Sequence, residues 1–165
     1  MNNFVELDSV AQVSVTLAAF TSLLAALRGG DIHEWEPRPR LGFWLLLTYS
    51  LASLLFSLLP GMLRDFAVEP WRVSIALQAA FHAVGLVVFV GRHVSLTRAG
   101  MRSQSNALWV TISAVMAFTF AALCWSLLGG LGGASYRVYH FGVVACLLVA
   151  VGAFVGFLRL GKPTT

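Results

Sequence analysis

Five long apolar runs divide this chain, separated by short stretches rich in charge, glycine or proline. The clearest extends from Leu41 to Leu63, between Arg40 and Arg64, without a charged side chain. An α-helix rises about 1.5 Å per residue, so this run can cross a hydrocarbon core of about 30 Å. Comparable runs lie at about 7–27, 72–91, 107–131 and 138–159. The pattern predicts an all-α fold: a polytopic membrane helix bundle of five transmembrane helices, forming one domain over residues 1–165.

Breakers stand where the connections should be. Gly29-Gly30 and the two prolines Pro37 and Pro39 fall in the first, Pro70 in the second, and Gly100 with Ser103 to Asn106 in the third. The glycine run around Gly129–Gly133 should end the fourth helix. The amino terminus carries Glu6 and Asp8 and no basic residue before Arg28. A secretory signal opens with positive charge, so the first run is read as an uncleaved span.

Composition agrees with lipid as the solvent. The 165 residues are 58% hydrophobic and 11% charged, and the mean hydropathy is +0.81. Soluble domains carry about 25% charged residues. The net charge of +4 does not point to nucleic acid, because no basic face is interleaved with aromatics. Basic residues instead alternate between connections. Arg28, Arg38, Arg40, Arg92, Arg98, Arg102, Arg159 and Lys162 fall on one side of the threading, and Arg64, Arg72 and Arg137 on the other. Basic residues favour the cytoplasmic side, so the amino terminus is expected outside and the carboxyl terminus inside.

Small residues recur at spacings of three and four in every span, which marks packing faces between helices in lipid. They are Ala11, Ser14, Ala18, Thr21 and Ala25 in the first span, and Ser50, Ser53 and Ser57 in the second. Ala76, Ala79 and Ala83 follow in the third, and Ala107, Ala114, Ala117 and Ala121 in the fourth. The fifth has Gly142, Ala145, Gly152 and Gly156, the last two forming a G-x-x-x-G for helix packing. Pro60 removes a backbone donor near the end of the second span, and Ser57 or a neighbouring helix should satisfy the freed carbonyl. Trp35, Phe43, Trp44, Trp71, Trp109, Tyr136 and Tyr139 sit near span ends and are expected to anchor in the headgroup zone.

Few residues offer chemistry. His82 is the most central ionisable group, one turn after Gln78 and on the same face, a candidate intramembrane polar site. It is read either as a neutral histidine bonded to a serine of the second span or to a carbonyl, or as part of a pathway. The threading gathers Glu6, Asp8, Arg64, Arg72, Arg137 and His140 at the outer face, as a mouth for a solute or as ion pairs pinning helix ends. Cys124 and Cys146 lie outside any C-x-x-C or Cys/His metal spacing and are expected as free thiols. Haem ligation needs two histidines at one depth, and His82 and His140 differ by roughly 10 Å. No catalytic constellation, metal site or cofactor is expected.

The first half resembles small multi-span proteins of bacterial inner membranes. The resemblance lies in Phe20 to Arg28 ending the first span, Glu34-Trp35, Arg40-Leu41 opening a run that finishes in Leu58-Leu59-Pro60, and then Trp71. It implies a multi-pass protein of the inner membrane and no activity, cofactor or catalytic residue.

The function these readings favour is a non-enzymatic accessory subunit, or a small homo-oligomeric helical assembly, with the lipid bilayer and a larger membrane protein or a second copy as partners. A small-solute or proton transporter with His82 and Gln78 on its pathway is the rival. A haem-binding redox protein is the third reading.

Overall fold

A computed structural model describes residues 3–28, 32–64, 69–100, 106–129 and 135–160, without the side chains of 3–6, 24, 26–28, 33, 106, 135 and 158–160. Five α-helices follow in order: α1 (Asn3–Arg28), α2 (Pro37–Leu63), α3 (Pro70–Arg98), α4 (Asn106–Leu127) and α5 (Ser135–Leu160). A single 3-10 turn, Ile32–Glu34, precedes α2, and the described residues contain no strand. The helices α2 to α5 are long and apolar enough to cross a membrane. The apolar stretch of α1, Leu7–Leu23, is shorter than theirs, although the helix as a whole has 26 residues.

The termini of these helices follow from local chemistry. Pro37 and Pro70 occupy the first turns of α2 and α3, where a missing N–H breaks no bond. That places the start of α2 one turn earlier than expected. At its other end α3 continues past Gly91 to Arg98, two turns beyond the predicted limit, and stops where Gly100 takes φ +79°. There the Gly100 amide donates to the Thr97 carbonyl at 3.1 Å. Gly129, at φ +82°, ends α4 in the same way, its amide donating to the Ser126 carbonyl. Glycine reaches this left-handed conformation without a Cβ penalty, so α4 ends four residues short of 131.

Helix α5 is the axis of the bundle. Tyr139, Val143, Ala145, Cys146, Val149, Ala150 and Ala153 are all buried along its inner faces. It runs antiparallel to α2 and α4 and parallel to α1 and α3. Gly42 lies over Ala153, Gly152 over Ile112, Gly142 over Gln78, and the Phe20 ring meets that of Phe154. Helix α1 packs on α2, and α3 on α4, while α2 and α3 meet less closely than either does its main partner.

The stripes of small residues divide between inside and outside. On α1, Ala11, Ser14 and Thr21 are buried, as are Ser50, Ser53 and Ser57 on α2. On α5, a β-carbon at Gly156 would stand 3.1 Å from Leu108, and one at Gly152 would stand 3.3 Å from Ile112. Both glycines therefore let α4 approach α5 within one chain. The alanines of α4 behave otherwise. Ala107, Ala114, Ala117 and Ala121 are exposed, and α4 packs through Trp109, Ile112, Met116, Thr119 and Leu123 instead. Ala76 of α3 is exposed too.

The aromatic residues expected at the headgroup level are largely internal. Trp35 packs between Phe43 and Phe157, Trp109 against Phe89 and His93, and Tyr139 is fully buried beside Trp71. Trp44 and Trp125 are the exposed tryptophans among the described residues, at 48% and 59%. The outward faces carry Val84, Val87 and Val88 on α3, and Val110 and Phe118 on α4. Such continuous apolar surface suits hydrocarbon rather than water.

Candidate functional site

Polar side chains within the bundle gather where α2, α3 and α5 meet. Tyr49, Ser50, Ser53 and Ser57 come from α2, Ser74, Gln78 and His82 from α3, and Tyr139 and Cys146 from α5. Of these, Ser50, Ser53, Ser74, Gln78, His82, Tyr139 and Cys146 have no exposed surface at all. A polar group surrounded by hydrocarbon lacks hydrogen-bond partners, so the faces that carry polar atoms turn toward each other.

Several of these groups bond their own helix or the next. Ser57 donates to the Ser53 carbonyl at 2.8 Å, and Ser74 to the Pro70 carbonyl at 2.7 Å. Ser53 reaches across to the Val143 carbonyl at 3.3 Å. The Tyr139 hydroxyl donates to the carbonyl of Phe56. That acceptor is the one left free by Pro60, which has no N–H to offer the residue four before it.

His82 lies within this cluster, and its surroundings fix its tautomer. Nδ1 is 2.9 Å from the Gln78 carbonyl, an acceptor only, so Nδ1 carries the proton and donates. Nε2 is then the lone-pair nitrogen, and it faces Cys146 Sγ at 3.8 Å. The thiol donates S–H to the imidazole. Tyr49 and Phe81 stand edge-on around the ring. His82 is thereby an enclosed imidazole in contact with a buried thiol. No feature of the sequence couples Cys146 to His82, because the pairing depends on the register between the parallel helices α3 and α5.

Other polar atoms of the cluster have no hydrogen-bond partner. They are Oε1 and Nε2 of Gln78, the hydroxyl of Tyr49 and that of Ser50. Two glycines make room for them. A β-carbon at Gly142 would stand 2.6 Å from Gln78 Oε1, and one at Gly85 would stand 2.5 Å from the Tyr49 hydroxyl. Each polar tip is pressed against a bare helix backbone.

The outer-face residues lie mostly at the surface. Asp8, Arg64, Arg72 and Arg137 are exposed, and the side chain of Glu6 lies outside the described residues. Arg72 pairs at 3.4 Å with Glu69 on its own helix start, both well exposed, an arrangement worth little in water. His140 is half-buried beside the Tyr136 ring. Cys124 and Cys146 are both free thiols.

Among the described residues, no group of three or more His, Cys, Asp or Glu side chains is placed to hold a metal ion. His82 and His93 stand three turns apart on one helix, and His93 stacks on Phe89 and Trp109. With both His82 nitrogens engaged, the arrangement does not favour axial ligation of a haem. Comparison with family models, with curated proteins and with solved structures finds no match. The resemblance over the first half therefore rests on the residues quoted for it alone.

Proposed function

We propose that the chain is an integral protein of a bacterial inner membrane that crosses it five times, amino terminus outside and carboxyl terminus inside. We infer that it performs no chemistry of its own and works by lateral association, as an accessory subunit or as a small homo-oligomer. The observation that supports this is the division of its surfaces. Ser50, Ser53, Ser74, Gln78, His82, Tyr139 and Cys146 are turned inward at no exposure, and the outward faces of α3 and α4 carry large apolar side chains. On α4 the exposed alanines 107, 114, 117 and 121 form a low ridge that another helix can approach closely. The sidedness rests on the eight basic residues against three.

Blue-native gels and crosslinking in membranes test the reading. A discrete oligomer or a stoichiometric copurifying protein is expected, crosslinked through Ala114→Cys or Ala117→Cys. A strictly monomeric protein with no partner contradicts it.

The second reading is a proton or small-solute path through His82 and Gln78. It is favoured by the unpartnered polar atoms of Gln78, Tyr49 and Ser50, each of which disfavours a dry interior by about 1–3 kcal/mol. Flux into proteoliposomes decides it. Flux that falls with His82→Ala supports the path, and flux that is absent or unchanged removes it.

A further inference from the structure

The contact between His82 and Cys146 has the arrangement of a two-donor metal site. A histidine that ligates a metal through one ring nitrogen donates its other N–H to a carbonyl or carboxylate, which fixes the tautomer and aims the lone pair. His82 Nδ1 meets the Gln78 carbonyl at 2.9 Å, so the lone pair lies on Nε2. That lone pair faces Cys146 Sγ at 3.8 Å, and neither residue has exposed surface. Cysteine ligates metals as the thiolate. It takes that form here when an ion replaces the proton between sulfur and nitrogen.

Geometry limits the ion. Protein sites hold sulfur about 2.3 Å and imidazole nitrogen about 2.0 Å from an ion the size of zinc. At those lengths, donors 3.8 Å apart subtend about 125° at the ion. An ion therefore fits between the two atoms with neither helix displaced. Among the described residues, no third His, Cys, Asp or Glu completes a metal-binding group. The pair suits a metal of low coordination number, and a soft thiolate selects Cu(I).

Charge limits it further. Exchange of one thiol proton for one monovalent ion leaves the net charge of the site as it was. A divalent ion adds a charge, and every carboxylate side chain among the described residues is exposed and far from service here. An unbalanced charge inside a membrane is costly. The neighbouring group is neutral: the Gln78 amide is fully buried against Gly142 in the same seam between α3 and α5, and its oxygen has no hydrogen-bond partner.

We propose that His82 and Cys146 form a site for one Cu(I) ion, held between Nε2 and the thiolate Sγ. Binding forms a copper–sulfur and a copper–nitrogen bond, breaks the S–H bond and releases one proton to water. The oxidation state of copper does not change. The ion ties α3 to α5, and because the site is enclosed it is taken up as the chain folds. The proposal goes beyond lateral association and does not depend on it, and the oligomer experiment tests that reading separately.

The full chain, produced in cells supplied with copper, extracted in detergent and passed over a Cu(I) chelator, tests it. Metal content is read by elemental mass spectrometry and the ligands by X-ray absorption. The wild type should carry close to one copper per chain, with the edge of Cu(I) and both sulfur and nitrogen neighbours. Cys146→Ala and His82→Phe should each lower the copper content at least about tenfold, while Cys124→Ser should retain it. Circular dichroism and gel filtration confirm that each variant is folded, and the absorption spectrum of the wild type decides the ligands without any variant. Wild type free of copper, zinc in its place, a spectrum without a sulfur neighbour, or copper that survives either substitution overturns the proposal.

Discussion

The hydroxyl of Tyr139 on α5 caps the carbonyl of Phe56 on α2, the acceptor that Pro60 leaves without its helical donor. A proline inside a transmembrane helix frees a carbonyl four residues back, and in lipid that carbonyl needs a partner from elsewhere. Here the partner comes from the central helix, so one irregularity in α2 fixes its register against α5.

Tyr139→Phe should destabilise the protein by about 1–2 kcal/mol, because it leaves a buried carbonyl unpaired. In a Pro60→Ala background the helix regains its own donor, and the same change should be nearly neutral. Unfolding in detergent of the four variants of this cycle measures the coupling. Additive effects would mean that the two residues act separately.

Tyr49 gives the opposite expectation. It is as buried as Tyr139, but its hydroxyl has no hydrogen-bond partner. Removing an unpaired buried group is neutral or stabilising, so Tyr49→Phe should change stability by less than about 1 kcal/mol, or raise it. The same unfolding measurement in detergent reads both tyrosines side by side.

Gly142 and Gly85 should tolerate no side chain unless the facing polar tip is trimmed. Gly142→Ala forces a methyl to 2.6 Å from Gln78 Oε1, and should cost about 1–3 kcal/mol. Gln78→Ala should recover most of that loss. Gly85→Ala should be relieved in the same way by Tyr49→Phe, to the extent that the clash lies with the hydroxyl and not with Met116, 3.4 Å away.

Alanines on α4 and α5 should respond differently to enlargement. Ala117→Leu adds bulk to an exposed face and should leave folding intact. Ala150→Leu, with no exposed surface, should destabilise by about 1–3 kcal/mol. If both unfold the protein alike, α4 is covered within the folded chain.

The helices and their number were legible because a run of apolar residues without charge leaves the backbone no other arrangement in lipid. The inward direction of Ser14, Ser53, Gln78 and His82 was legible for a related reason, since hydrocarbon accepts polar atoms poorly. Alanine carries no such direction. It suits lipid and helix equally, so the ladder of α4 reads from spacing as an internal face and lies outside. Trp109 and Tyr139 sit at span ends, where headgroup anchoring is the common fate, but their rings fill space between helices. The contact of His82 with Cys146 was beyond reach, because it joins two helices through a register that neither run encodes alone.

The central claim is that the polar cluster of α2, α3 and α5 is closed to water, and Cys146 is its native reporter. In a Cys124→Ser background, a membrane-impermeant maleimide applied to open membrane sheets should leave Cys146 unmodified for hours and label it fully after unfolding in detergent. Modification in the folded protein at the rate of an exposed control thiol, such as one introduced at Arg64→Cys, would contradict the account and open the His82 pathway again.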